Sequence, residues 1–171
     1  MVKTMAAEKT TQVAVVMGSD SDLSVMQSCV DQFREFGIEP TVRILSAHRT
    51  PQAAAEFAQT AEGRGVRVVI AAAGMAAHLA GVIAAWTALP VIGVPLASEG
   101  SLAGLDALLS TVQMPPGVPV ATVAIGKAGA KNAAILAVQI LALADPALRD
   151  KLLQFRKRQE QRAREKDAGL A

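Results

Sequence analysis

An α/β fold, with a parallel sheet covered by helices on both faces, follows from three features of this 171-residue chain. Short β-branched runs alternate with longer helical segments, the pattern of successive βαβ units. The strand candidates are nearly continuous in apolar residues, which suits strands covered on both faces. Finally, 51% of the residues are apolar while aromatics make up 3% and tyrosine is absent, so the core must be built from Ala, Val, Ile and Leu. Five strands joined by right-handed crossovers give a three-layer, doubly wound α/β/α sandwich in a single domain.

Residues 1–12 are polar, lack the apolar stretch of a signal peptide and read as a loose leader on a cytoplasmic protein. The first strand spans 13–17 and the first helix 22–36. Cys29 falls in mid-helix and reads as a small buried hydrophobe; as the one cysteine, it leaves neither an internal disulfide nor a cysteine-rich zinc site. The second strand spans 41–45. Thr50-Pro51 then opens a helix over 51–62, with threonine as N-cap and proline where its missing N–H costs nothing. A third strand (67–72), a helix (76–86), a fourth strand (91–94), a helix (102–112), a fifth strand (120–125) and a helix (128–144) follow. Asp145-Pro146 repeats the capping signal and starts a last helix running towards Arg164. This helix carries Leu148, Leu152 and Phe155 on one stripe and then turns wholly polar, as an arm docked at its start and solvated at its end. The organisation is thus a leader (1–12), one α/β domain (13–145) and a C-terminal helix with a polar tail (146–171).

Residues 68–98 contain no Asp, Glu, Lys or Arg, a stretch longer than a bilayer span requires. Gly74, His78, Gly81, Pro90, Gly93 and Pro95 interrupt it, so it reads as a buried strand, helix and strand, with no membrane contact. The helices over 76–86 and 128–144 are apolar almost all round. Such helices must be buried all round, and the outer layer of a small sandwich cannot do that alone, so the chain is expected to form an obligate homo-oligomer. The formal charge of +2 is a property of the tail: from Arg149 onward eight basic residues face four acidic ones, a net +4, against −2 for the rest. Neither a basic face nor interleaved stacking aromatics point to nucleic acid.

The chemistry lies in three loops that leave the carboxyl ends of strands, where open α/β sheets bind ligands. After the first strand comes Gly18-Ser19-Asp20-Ser21-Asp22. Glycine permits a tight turn, and Ser19 and Ser21 join the free N–H groups of a helix start in an anion site. Asp22 is suited to ribose hydroxyls, or serves merely to cap the helix. After the second strand, Ser46-Ala47-His48-Arg49 combines a fixed-charge guanidinium fork with the side chain that exchanges protons near neutrality. After the third, Ala73-Gly74-Met75-Ala76-Ala77-His78-Leu79 is small and apolar, leaving room for a planar ring or a small neutral molecule. His78 taken alone reads as a helix-start residue. Two histidines in separate loops give no recognisable metal-ligand spacing, and no nucleophile elbow is present. One acid–base histidine in an anion-binding crevice suits isomerisation, elimination or carboxyl transfer.

These loops, together with Ala76-Ala77-His78-Leu79-x-Gly81, Leu89-Pro90-Val91-Ile92-Gly93-Val94-Pro95 and the run from Leu105 through Gln113-Met114-Pro115 to Gly126 and Asn132, resemble the PurE family, the class I N5-carboxyaminoimidazole ribonucleotide mutases of purine biosynthesis. The resemblance covers residues 13–158. It implies a flavodoxin-like fold and conversion of N5-carboxyaminoimidazole ribonucleotide to its 4-carboxy isomer without metal or cofactor. It implies His48 as general acid/base, and substrate contacts from Ser19, Ser21, Asp22, Ser46 and Arg49. Gly74, Met75, Ala76, His78 and Leu79 would line the pocket for carbon dioxide. It further implies a homo-octamer with active sites at subunit boundaries, where Gln113-Met114-Pro115 is a candidate contribution from a neighbour. The chain departs from the family where glycine is usual at Ala72 and often found at Met75, and where proline is common at Ala80. The rival readings are the family's second class, which carboxylates aminoimidazole ribonucleotide directly, and a non-catalytic nucleotide-binding module on the same fold.

Overall fold

The computed structural model describes residues 11–170, so all but the end of the predicted leader lies outside the described residues. Five parallel strands, β1 (Val13–Met17), β2 (Thr41–Ile44), β3 (Val68–Gly74), β4 (Val91–Leu96) and β5 (Ala121–Thr122), form one sheet in the order β2-β1-β3-β4-β5. Six α-helices, α1 (Leu23–Glu35), α2 (Pro51–Ala61), α3 (Leu79–Ala85), α4 (Leu105–Val112), α5 (Gly126–Leu141) and α6 (Pro146–Ala168), connect and cover it. The expected doubly wound sandwich is therefore present.

Alternation along the central strands divides the core into two layers. Val13, Val15 and Met17 of β1, with Val68, Ile70 and Ala72 of β3, face α1, α5 and the start of α6. Ala14 and Val16, with Val69 and Ala71, face α2 and α3. Small residues set the spacing. A Cβ on Gly93 would lie 2.3 Å from the Thr111 methyl and 3.4 Å from Ala80, so α4 and α3 share the second face and both approach β4 closely. A Cβ on Gly129 would lie 1.5 Å from the Ala124 carbonyl oxygen, so the first turn of α5 tolerates nothing larger than glycine there.

Several sequence expectations are corrected. β2 is a sheet edge and its face is open: Val42 and Ile44 are exposed, whereas β1 and β4 are wholly buried. β3 and β4 run two residues further than expected because their ladder continues to Gly74 opposite Leu96. β5 shrinks to two residues: after Val123 donates to Gly93 O, Ile125 becomes the N-cap of α5 and Gly126, at φ +71°, turns the chain. α3 begins at Leu79, leaving Met75 to His78 as loop, and α4 begins at Leu105 after the left-handed Gly104. Thr50 holds the N-cap position of α2 as expected, its carbonyl accepting from Ala54 N at 3.1 Å, but its side chain makes no capping bond: the hydroxyl accepts from Ser46 N (2.9 Å) and reaches back to Ser46 O (3.1 Å). Asp145 does cap α6, accepting from Leu148 N at 3.0 Å.

The stripe on α6 docks as expected. Leu148, Leu152 and Phe155 are buried, the Phe155 ring packs against Phe36 with centroids 5.2 Å apart, and Lys151 Nζ donates to Phe36 O at 2.8 Å. Much of the apolar surface of α5 is thereby buried within one chain, against α1, α6 and the sheet. That helix does not demand a second subunit, contrary to the sequence expectation. Among the described residues no helix is long and apolar enough to cross a membrane.

Candidate active site

The carboxyl ends of β1, β2 and β3 are adjacent in the sheet, so the three chemistry-bearing loops converge. The β1 loop is organised by a capping box: Ser19 accepts from Ser21 N (3.4 Å) while the Asp22 carboxylate accepts from Ser19 N (3.0 Å). Ser21 Oγ lies 3.0 Å from Ser19 Oγ, which presents both hydroxyls together. Asp20 also takes part: its Oδ1 accepts from Ser19 Oγ and from Ser21 N, each at 3.0 Å. Asp22 is 9% exposed. Burial raises its carboxyl above the ordinary range, opposed by hydrogen bonds from the Ser19 and Gly18 amides and by the Arg49 charge.

In the β2 loop, Ser46 acts as a local anchor. Its Oγ accepts from Arg49 N (3.1 Å) and Arg49 Nε (3.4 Å), while Arg49 Nη2 donates to Gly18 O at 3.0 Å. The guanidinium therefore spans from its own loop to the β1 loop, beside Ser19 and Ser21. No carboxylate among the described residues forms an ion pair with it. A fixed positive charge held against hydroxyls and a helix start can take an anion.

The β3 loop delivers the residue whose role the sequence left open. His78 Nδ1 lies 2.9 Å from His48 Nε2, with the two rings edge to face at a centroid distance of 4.9 Å. One nitrogen donates and the other accepts, so the two rings share one proton along that line. Their pairing was not legible from the sequence, because thirty residues, with α2 and β3 between, separate them. That both loops leave carboxyl ends of strands was the available signal, but β2 and β3 flank β1 on opposite sides, so it did not reveal a contact.

A cavity of about 410 Å³ joins these parts, lined by Gly18, Ser46, Ala47, His48, Arg49, Ala73, Gly74, Met75, Ala76, His78 and Leu79. A second cavity of similar size, lined by Gly18, Ser19, Asp20, Ile44, Ser46, Arg49 and Thr50, shares three residues with it. Ser19, Ser46, Arg49, Gly74, Met75, Ala76, His48, His78 and Leu79 thus line the paired cavities. Ser21 and Asp22 stand behind, joined to Ser19 by hydrogen bonds. Asp20, Thr50 and the Gly18 carbonyl are additions that motif reading missed. Their signal lay only in turn chemistry, where short polar side chains bond their own backbone. Among the described residues no group of three or more His, Cys, Asp or Glu side chains could hold a metal ion.

The arrangement pairs a histidine dyad at a small, alanine- and glycine-walled pocket with an arginine–serine cluster one side chain away. It can hold a phosphorylated molecule by its anionic end while exchanging a proton at the other. Comparisons with known proteins give the chain's family. The sequence model of the family described as AIR carboxylase matches residues 12–162. A Pyrococcus horikoshii protein named N5-carboxyaminoimidazole ribonucleotide mutase is 52% identical over 166 residues, 97% of this chain and 92% of the relative. A Mycobacterium tuberculosis protein of the same name is 54% identical over 159 residues, covering 93% and 90%. The crystal structure of Treponema denticola PurE superposes with a TM-score of 0.83 at 30% identity, covering 92% of this chain and 97% of that one.

Proposed function

The chain belongs to the AIR carboxylase family, and from that premise we propose that it is an isomerase of purine biosynthesis, converting N5-carboxyaminoimidazole ribonucleotide to 4-carboxyaminoimidazole ribonucleotide. The observation that carries the reading is the His48–His78 pair at 2.9 Å on the wall of a cavity that also contains Arg49 and Ser46.

Arg49, Ser19 and Ser21 hold the substrate phosphate, and Asp22 with Ser46 orders the polar part of the ribosyl unit. The base then lies towards His48. The carbamate N–C bond breaks, its electron pair returns to nitrogen with a proton from His48, and carbon dioxide is released into the pocket walled by Gly74, Met75, Ala76 and Leu79. Aminoimidazole ribonucleotide is an enamine-like nucleophile, and its C4 attacks the trapped carbon dioxide to form the new C–C bond. His48 then takes the C4 proton, restoring the aromatic ring and its own starting state. His78 keeps this reversible: while His48 is cationic its Nε2 donates, so His78 Nδ1 accepts and His78 stays neutral. Retaining carbon dioxide for recapture is a proximity effect, replacing a bimolecular carboxylation by a step within the site.

The catalytic unit spans residues 13–145 with α6 as its arm. The protein works in the cytoplasm as a homo-octamer whose sites lie at subunit boundaries, with Gln113-Met114-Pro115 reaching a neighbour's site.

The test uses two reactions without ATP: one contains N5-carboxyaminoimidazole ribonucleotide, the other aminoimidazole ribonucleotide with bicarbonate. Fast 4-carboxy product is expected from the first alone. His48→Asn is expected to lose at least about 10³-fold in turnover, within the range that positioned proton transfer supplies, while ribonucleotide affinity stays within a few-fold. Efficient product from the second reaction would transfer the chain to the direct carboxylases. Equal loss of binding and turnover in His48→Asn would remove the proton-transfer role.

A further inference from the structure

We infer that Met75 is a gate on the pocket for carbon dioxide: its side chain forms the movable lip of the cavity and sets how often the liberated molecule escapes before C4 captures it. This deepens the mutase reading and rests on it.

The first observation is conformational. Met75 has φ +53°, and Ala103 is the other described non-glycine residue with positive φ. A residue with a Cβ is held there at a cost of about 1–2 kcal/mol. Glycine would meet the backbone requirement without that cost, so the side chain must contribute something the backbone alone does not. Core packing is not that contribution. Met75 is 54% exposed and belongs to neither buried cluster.

The second observation is position. Met75 lines the cavity that contains His48 and His78, and its neighbours on that wall are Ala73, Gly74 and Ala76. None of these has a side chain long enough to cover the opening. Gly74 in particular cannot be enlarged, because a Cβ there would lie 2.1 Å from Ser98 Oγ and 3.2 Å from Leu96 O. Leu79, the remaining long apolar group, is fixed in the core as the first residue of α3. Met75 is therefore the one long, unfixed side chain on the β3 loop.

Its chemistry suits a gate. Methionine is unbranched, has three rotatable side-chain bonds and adapts to irregular space. The left-handed backbone fixes where its Cβ stands at the rim, while the outer torsions stay free to swing between cavity and solvent. An apolar lip also offers water no hydrogen bond, which keeps the space beside the dyad dry. Carbon dioxide set free there has two fates, capture by C4 or diffusion outward, and the lip acts on the second alone.

The experiment measures that partition. Parent protein, Met75→Gly, Met75→Ala and Met75→Leu are each given N5-carboxyaminoimidazole ribonucleotide in ¹³C-bicarbonate buffer. Released aminoimidazole ribonucleotide and the label in the 4-carboxy product are counted per turnover, after subtraction of the reaction without protein. Met75→Gly and Met75→Ala are expected to raise both by about tenfold, equivalent to about 1.4 kcal/mol on the escape barrier, while Met75→Leu stays near the parent ratio. Met75→Gly relieves the backbone, so poor folding cannot account for its leak. A purely conformational role for Met75 would separate glycine from alanine and leave the partition unchanged. If product forms and both truncations show the parent's partition, the gate is overturned and the mutase reading stands. If the parent forms no 4-carboxy product, both fall.

Discussion

At the scale of single residues, Asp22 is under two opposite electrostatic demands. Its carboxylate closes the capping box on Ser19 N and stands near the proposed anion site, yet burial disfavours its charge and raises its proton affinity. Linkage fixes the sign. A carboxyl whose folded value lies above its unfolded value takes up its proton first in the folded state, so its contribution to stability rises as pH falls through the raised value towards 3.8. At neutral pH that contribution is withheld. Asp22→Asn keeps an oxygen that can accept from Ser19 N and removes the buried charge. Its urea midpoint at pH 7 is expected to be no lower than the parent's, with the difference closing near pH 4, while ribonucleotide affinity drops about tenfold through the lost charged hydrogen bond. A loss of more than about 1 kcal/mol at pH 7, the usual worth of a cap, would mean that the charge is needed for folding. The loop sequence showed that Asp22 could cap or bind. It could not show that the capping carboxylate is buried, because burial is a property of the packed sheet edge.

At the scale of elements, the connection from β2 to α2 shows how far turn chemistry can be read. Thr50-Pro51 marked the start of α2 correctly, since proline at the first helical position is a strong signal. The threonine holds the N-cap position, but its hydroxyl ties back to both Ser46 N and Ser46 O, closing the 46–50 segment on itself. That closure holds His48 and Arg49 between two anchored ends. Thr50→Ala is expected to destabilise the fold by about 1 kcal/mol, the typical worth of a hydrogen bond. It should lower kcat more than it raises KM, because the dyad loses its fixed approach to His78. Thr50→Ser keeps the hydroxyl and should restore both; failure of serine to rescue would assign the effect to the methyl group. The strands were legible where they are central. β1 matched to the residue and β2 to within one, but the edge strand β2 is open to solvent along Val42, Arg43 and Ile44 where covered faces were expected, and β5 shrank to a two-residue ladder. The extra turn expected at the start of α3 is absent: after the left-handed Met75, His78 N donates to Ala76 O at 2.8 Å, and the chain stays a loop until Leu79.

At the scale of the whole molecule, the sequence pointed to self-association but chose the wrong helix for much of it. α5 is largely satisfied within the chain; the open apolar surface lies elsewhere. Leu105, Leu109 and Val112 follow an i, i+4, i+7 stripe on α4 and are about half exposed, while Ala107 and Thr111 on the opposite side are buried against the sheet. Leu102 before the helix and Trp86 at the end of α3 are exposed as well. Periodicity could not find this stripe, because a helix apolar on two faces looks the same whether the second face meets its own sheet or another copy. A surface of several large apolar side chains is unusual for a monomer, and it is where the proposed assembly would place an interface. Light scattering on the full chain is expected to give about 140 kDa, eight times the 17.7 kDa protomer. Leu105→Glu with Leu109→Glu places two charges on that stripe without touching the cavity residues. The double variant is expected to keep its far-UV circular dichroism and shift to smaller species. Turnover should fall with assembly, because Gln113-Met114-Pro115, directly after α4, could no longer reach a neighbour's site. A parent of monomer mass would remove the assembly altogether. A dissociated variant with full turnover would keep the assembly but place every essential residue of the site within one chain.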